Sequence, residues 1–197
     1  MKKFFKLSGD QIIAPKVIPV LEAYLLPRVV LSNMPEIGRT EDTDDSSCDL
    51  VRFGTSPVMS TYLVAIVVGE FDYIEDKSEE GITCRMYSPL GKKEQGRFAL
   101  ECAVKSLTFL TKFFSVPYPL EKYDMIAIPD FNAGAMENWG LVTYREAFVL
   151  VDPANSSQSS KQWVMIMILE ITGLSIILSY MSVYVLWHFP LVLNVMA

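Results

Sequence analysis

Residues 131–140 read FNAGAMENWG, two glycines and two alanines gathered around a single carboxylate, that of Glu137. Just upstream, Met125-Ile126-Ala127-Ile128 stands between Asp124 and Pro129, as a short buried strand does. Just downstream, residues 140–151, GLVTYREAFVLV, are again dominated by strand-forming side chains. The pattern predicts a glycine-bearing loop that carries one acid between two stretches of strand.

Further upstream, Ala99, Ala103, Leu107, Leu110 and Phe114 recur at three- and four-residue intervals, which predicts a helix between Lys92 and Phe114 with one apolar face. Pro117 and Pro119 mark its end. Ile82, Cys84 and Met86 alternate with Thr83, Arg85 and Tyr87, the period of a strand covered on one face. Residues 60–71, STYLVAIVVGEF, predict a buried strand, and the charged DKSEEG at 76–81 predicts a linker at a domain boundary. TEDTDDSSCD at 40–49 has the composition of an exposed loop. Pro15, Pro19 and Pro27 interrupt the start, for which an irregular or partly strand-like course is expected. Beyond the central loop, Asp152-Pro153-Ala154-Asn155 predicts a turn, with Ser159 or Ser160 capping a helix that runs through Trp163.

Composition narrows the classes. The 197 residues are 51% hydrophobic and 20% charged, with a mean hydropathy of +0.28, and the apolar excess lies in residues 164–197. The length accommodates one or two domains. A net charge of -6, with no cluster of Lys and Arg, argues against nucleic acid as a partner. Cys48, Cys84 and Cys102 are odd in number and far apart, which suits a reducing compartment better than a disulfide framework or a thiolate zinc site. The basic opening MKKFFK is followed by Asp10, Lys16 and Glu22 rather than an unbroken apolar run, so no secretory signal and a cytoplasmic location are expected. Asn155-Ser156-Ser157 is formally a glycosylation sequon and on the same grounds is expected to be unused.

Gly134-Ala135-Met136-Glu137-Asn138 matches the GAMEN motif of the gluzincin zinc aminopeptidases. The flanks agree: LSNMP at 31–35, PVMSTYLVAIVVGEFDYIE at 57–75, VPYPLEKYD at 116–124, AIPDF ending at Phe131, NWGLVTYRE, VDPANSS and QWV. Over about residues 29–163 the chain resembles the cytosolic, puromycin-sensitive branch of that family. The resemblance implies an α+β fold in three parts. Residues 1–78 would be the C-terminal part of an N-terminal β-sandwich, 79–163 the first part of a thermolysin-like catalytic domain, and 164–197 a divergent, apolar, helical tail. It also implies that Gly134, Ala135, Met136, Glu137 and Asn138 bind the substrate, a peptide with a free N-terminus. A partly buried carboxylate gains a charge-assisted hydrogen bond from the terminal ammonium, which internal peptide bonds do not offer. Without that ammonium the carboxylate is left desolvated, at a cost on the order of 1–3 kcal/mol. Small residues at 134 and 135 let an extended peptide approach the backbone and pair as an added strand.

The likeness breaks after Trp163. In the enzymes that the chain resembles, a helix shortly after QWV carries His-Glu-x-x-His, whose two imidazoles share one helical face and bind zinc while the Glu acts as general base. The one histidine here is His188, set in apolar VLWHFPLV and read as a histidine without a ligand role; Glu170 is the one acidic residue of 164–197. No catalytic or metal-ligating residue is therefore assigned, and zinc, the cofactor of the full-length family, is not expected to bind this chain. The expectation is a truncated or aberrant form of a metallopeptidase, inactive as written. The alternatives are a non-catalytic regulatory or interaction isoform, and a protein tethered to a membrane through 164–187. Ile171 to Trp187 approaches the roughly 17–25 apolar residues that cross a bilayer. No Lys or Arg follows Lys161 to set an orientation, and the same tail in water is an aggregation hazard.

Overall fold

The computed structural model describes residues 6–7, 20–24, 29–41 and 48–195, with side-chain surroundings for 29–40 and 49–179. In chain order the strands are β1 (Lys6–Leu7), β2 (Val20–Tyr24), β3 (Val29–Ser32), β4 (Glu36–Glu41), β5 (Cys48–Phe53), β6 (Ile66–Gly69), β7 (Phe71–Lys77) and β8 (Thr83–Pro89). Helix α1 (Arg97–Phe114), β9 (Lys122–Ile128), β10 (Ala135–Met136), β11 (Leu141–Arg145) and helix α2 (Gln158–Val195) complete them. The fold is α+β, as expected.

A five-stranded mixed sheet, ordered β10-β11-β9-β8-β7, organises the rest. β8, β9 and β11 are parallel neighbours, and α1 supplies the crossover that joins β8 to β9. One face of this sheet presents Cys84, Met86, Tyr123, Met125, Val142 and Tyr144 to a core shared with Ala103 and Leu107 of α1 and Val164 and Ile168 of α2. The other face carries Tyr87, Ile126 and Leu141 against Leu31 of β3, which pairs antiparallel with β6 as a ribbon. A central strand covered on both faces reads as a near-continuous buried run, and β9 is buried from Lys122 to Ala127. A separate antiparallel sheet orders β1-β2-β5-β4.

The predicted helix forms as α1, closed by Ser115 at φ 55° just ahead of Pro117. Residues 60–71 do not make a single strand: a 3-10 turn at Thr61–Leu63 precedes β6, and the chain bends at Glu70 into β7. The charged stretch 76–81 is the turn of a β7–β8 hairpin, closed by Ser78 N–H donating to the Ile82 carbonyl, so the five-stranded sheet runs across the position between 78 and 79. Thr40 and Glu41 belong to β4 and Cys48 and Asp49 to β5; the intervening 42–47 of the predicted loop lie outside the described residues, as does most of 1–28. β11 stops at Arg145, where a 3-10 turn replaces the continuing strand. The cap of α2 is Ser157 rather than Ser159 or Ser160, its Oγ accepting the Ser160 N–H at 3.1 Å.

α2 settles one face on α1 and the sheet. Its other face exposes Trp163, Met165, Ile166, Leu169, Leu174 and Ile177. Gln158–Ser179 is long and apolar enough to cross a membrane by length and composition, with 44% of its apolar window buried within the protein. His188 lies along α2 beyond the described side chains.

Candidate functional site

The loop 131–140 hangs between β9 and β11, and both of its ends are tied. On the entering side, Arg145 at the end of β11 donates through Nε to the Phe131 carbonyl at 2.8 Å and through Nη2 to the Asn132 carbonyl, while its guanidinium stands 5.7 Å from the Phe148 ring centre. Gly134 follows, its carbonyl accepting the Arg145 N–H at 2.9 Å. A Cβ at Gly134 would lie 2.8 Å from the Phe148 ring, so that position admits only glycine without repacking. Ala135 and Met136 then form β10, pairing with Tyr144 and Thr143 and making the edge of the five-stranded sheet. An edge strand keeps one row of backbone donors and acceptors free of sheet partners.

Glu137 comes next, half-buried, and its carboxylate has no hydrogen-bond or ion-pair partner among the described residues. Asn138, by contrast, is turned into the body at 5% exposure: its Nδ2 donates to the Leu63 carbonyl at 3.2 Å and its Oδ1 accepts from Thr143 Oγ1 at 3.2 Å. On the leaving side, Asn33 Nδ2 donates to the Trp139 carbonyl at 2.7 Å. Gly140 sits at φ 71°, its N–H donating to Tyr118 Oη at 3.2 Å and its carbonyl accepting from Lys122 Nζ and the Asp124 N–H.

Lys122 is the electrostatic centre of this anchor. The residue is 5% exposed, and its ammonium donates to Asp124 Oδ2 at 2.8 Å, to the Ser32 carbonyl at 3.0 Å and to the Gly140 carbonyl. Burial lowers its pKa from the ordinary lysine value, against the pull of the Asp124 carboxylate. The other Asp124 oxygen has Arg85 Nη1 at 3.6 Å. Burial likewise holds the Tyr118 phenol well above its usual range, so it stays protonated beside the loop.

Residues 98–171 match the peptidase family M1 domain. The chain carries part of a peptidase family M1 domain. Similar proteins agree: aminopeptidase M1 of Arabidopsis thaliana is 54% identical over 136 residues, 69% of this chain and 15% of that protein. The puromycin-sensitive aminopeptidase of Caenorhabditis elegans is 49% identical over 138 residues, 70% of this chain and 14% of that protein. Endoplasmic reticulum aminopeptidase 2 of Homo sapiens is 45% identical over 136 residues, 69% and 14% respectively. This chain spans about one seventh of the length of these relatives.

M1 membership implies zinc in full-length members, and a zinc site takes His, Cys, Asp or Glu donors converging on one point. α2 contains Gln162-Trp163-Val164 in its first turns and passes beside the loop, with Met167 Cε 3.9 Å from a Cβ placed on Gly134. Its buried face presents Val164, Ile168, Ile171, Thr172, Ser175 and Ile176, none of which is a zinc donor, and Glu170 points to solvent. Among the described residues no three His, Cys, Asp or Glu side chains come together. The described side chains of this helix, through Ser179, therefore do not fit the metal. Sequence reasoning had singled out Gly134 to Asn138; it passed over Asn33, Tyr118, Lys122 and Asp124, which sit in flanking stretches valued there for their likeness alone. A lysine and an aspartate inside the otherwise apolar run 122–128 were the available signal.

Proposed function

We propose that this chain recognises the free N-terminus of a peptide through the Glu137 carboxylate, presented by the loop Gly134–Asn138. Gly134, Ala135 and Met136 offer the peptide an open sheet edge, Glu137 takes its ammonium, and Asn138 holds the loop to the body. The observation that carries this is the contrast between neighbours: the Asn138 amide is bonded inward to the Leu63 carbonyl and Thr143 Oγ1, while the half-buried Glu137 carboxylate beside it stands without a partner among the described residues. In whole M1 aminopeptidases the same recognition would direct removal of N-terminal residues. In this chain, whose sequence after Trp163 carries no His-Glu-x-x-His, we propose binding without hydrolysis. The division into 1–78 as part of a β-sandwich domain, 79–163 as the start of a thermolysin-like domain and 164–197 as a divergent tail belongs to the same proposal, as does a cytoplasmic location.

Titration of a fluorescent peptide carrying a free N-terminus against its acetylated twin tests the binding. The free form is expected to bind about tenfold tighter, the worth of one charge-assisted hydrogen bond. Glu137→Gln should abolish the preference, and equal binding by the unmodified chain would refute it. Incubation with zinc and an aminoacyl reporter should give no turnover; chelator-sensitive hydrolysis would overturn the inactivity.

A second reading, association with a membrane, is favoured by the exposed apolar face of α2. Carbonate extraction of expressed protein decides it: release into the soluble fraction removes an integral tail from consideration.

A further inference from the structure

Asn33 and Trp139 are 106 positions apart, yet one buried amide joins them. Asn33 is 3% exposed and all of its side-chain polar atoms are engaged: Nδ2 donates to the Trp139 carbonyl at 2.7 Å and to the Leu63 carbonyl at 2.8 Å, and Oδ1 accepts the Ala65 N–H at 2.9 Å. Asn138 reaches the same Leu63 carbonyl. The turn after β3, the 3-10 turn before β6 and the recognition loop are thus stitched at a single side chain. Glu137 lies two residues ahead of the carbonyl that Asn33 holds, and Gly140, the positive-φ residue where the loop rejoins the sheet, follows directly.

We infer that Asn33 is a positioning residue for Glu137, so that selectivity for a free peptide N-terminus depends on the turn after β3 as well as on the loop itself. The inference rests on the proposed role of Glu137. Arg145 fixes only the entering end of the loop, through Phe131 and Asn132. Without the Asn33 amide, the leaving end keeps its anchors at Asn138 and Gly140, but the Trp139 carbonyl between them loses the bond from Asn33, and the aim of the carboxylate two residues earlier loosens with it. Amide-to-carbonyl bonds to a buried peptide unit fix orientation in addition to stability. A loosened loop still offers its edge to a peptide backbone; what it loses is the aim of one charge.

The experiment compares the full 197-residue chain with Glu137→Gln and Asn33→Ala, each titrated with the free and the acetylated peptide. The expected result for Asn33→Ala is a preference reduced from about tenfold to about twofold, with affinity for the acetylated peptide unchanged. General destabilisation would weaken both peptides alike. If the unmodified chain shows no preference, the role of Glu137 falls and this inference with it. If the unmodified chain and Glu137→Gln behave as proposed while Asn33→Ala keeps the tenfold preference, the inference alone is overturned. Should Asn33→Ala fail to fold, asparagine-labelled unmodified chain supplies the decision by NMR. The Asn33 side-chain amide resonances should shift in proportion to bound free-amine peptide, and not with acetylated peptide at equal occupancy; equal shifts or none would refute it.

Discussion

Gly140→Ala isolates the seam between loop and body. At φ 71° an alanine carries the left-handed penalty of about 1 kcal/mol. Its Cβ would also lie 2.0 Å from the Asn33 carbonyl oxygen and 3.1 Å from the carbonyl carbon. Both are backbone atoms, so no side chain can swing aside. Restoring ordinary contact takes a displacement of about 1 Å, which strains the bonds meeting there: Lys122 Nζ and Tyr118 Oη to Gly140, and Asn33 Nδ2 to Trp139. Two or three weakened bonds at about 1 kcal/mol each bring the total to about 3–4 kcal/mol. For a chain of this size that lowers Tm by roughly 6–16 °C. Gly91→Ala is the matched control, with φ 78° and nothing within 4 Å of the new Cβ, and it should cost only the conformational penalty. Urea unfolding followed by far-UV circular dichroism measures both. A Gly140→Ala loss within about 0.5 kcal/mol of the Gly91→Ala loss would refute the tight seam.

Lys122→Met strands the Asp124 carboxylate in the interior and should cost about 3–5 kcal/mol, whereas Lys122→Met with Asp124→Leu should recover part of it; urea midpoints compare them. Burial pushes the Cys84 thiol up to about 12 and Tyr123 to about 12, and holds Tyr118 and Tyr144 well above the usual phenol range. The folded state therefore keeps protons that the unfolded chain gives up. The contribution of these four groups should be constant below about pH 8 and fall as pH rises from about 9 to 12, by up to about 1.4 kcal/mol per unit for each titrating group, while the lowered Lys122 opposes it; Cys84→Ala and Tyr123→Phe should flatten the alkaline limb, and an unchanged limb would refute the assignment. Ser157→Ala should cost about 1 kcal/mol through loss of the α2 cap, while Ser159→Ala should cost far less, as paired thermal melts will report.

The elements legible in the sequence are those with strong local periodicity. Ala99 to Leu110 places α1 within a few residues because its apolar face is regular, and Ile82 to Met86 places β8 because alternation survives to Tyr87. What escaped depended on contacts distant in sequence. In 60–71 strand propensity is uniform, yet the Leu63 carbonyl is taken by Asn33 and Asn138, which bends the chain into a 3-10 turn there. The charges of 76–81 suggested a linker, but Asp76 and Lys77 are paired in a hairpin with Cys84 and Thr83. At the site, the motif residues were singled out by the resemblance of GAMEN and its flanks to the gluzincin aminopeptidases, since a glycine turn beside one carboxylate says little by itself. The clamp was not, since Asn33 reaches the loop across 106 positions, and Lys122 ties Gly140 to the Ser32 carbonyl 90 positions before it.

α2 departs from the usual surface helix in being apolar on its exposed face as well as on its buried one, and this bears on what the chain can do. Among the isoleucines and Val164 of its buried face stand hydroxyls: Thr172 Oγ1 meets Tyr123 Oη at 2.9 Å and the Ile168 carbonyl at 2.6 Å, and Ser179 Oγ donates to the Ile176 carbonyl at 2.6 Å. Hydroxyls that return to their own helix satisfy themselves without demanding a partner, which lets small side chains lie close against the sheet. Bulk then falls on the outer face, where Trp163, Ile166 and Leu169 stand in solvent. A helix chosen for water would place its polar residues there instead. The inner face fixes where α2 docks, beside Gly134, and the outer face fixes that the docked helix still has apolar area to cover. The recognition loop and this uncovered face thus share one helix, and anything that covers the face must leave the edge of β10 open if a peptide is to reach Glu137.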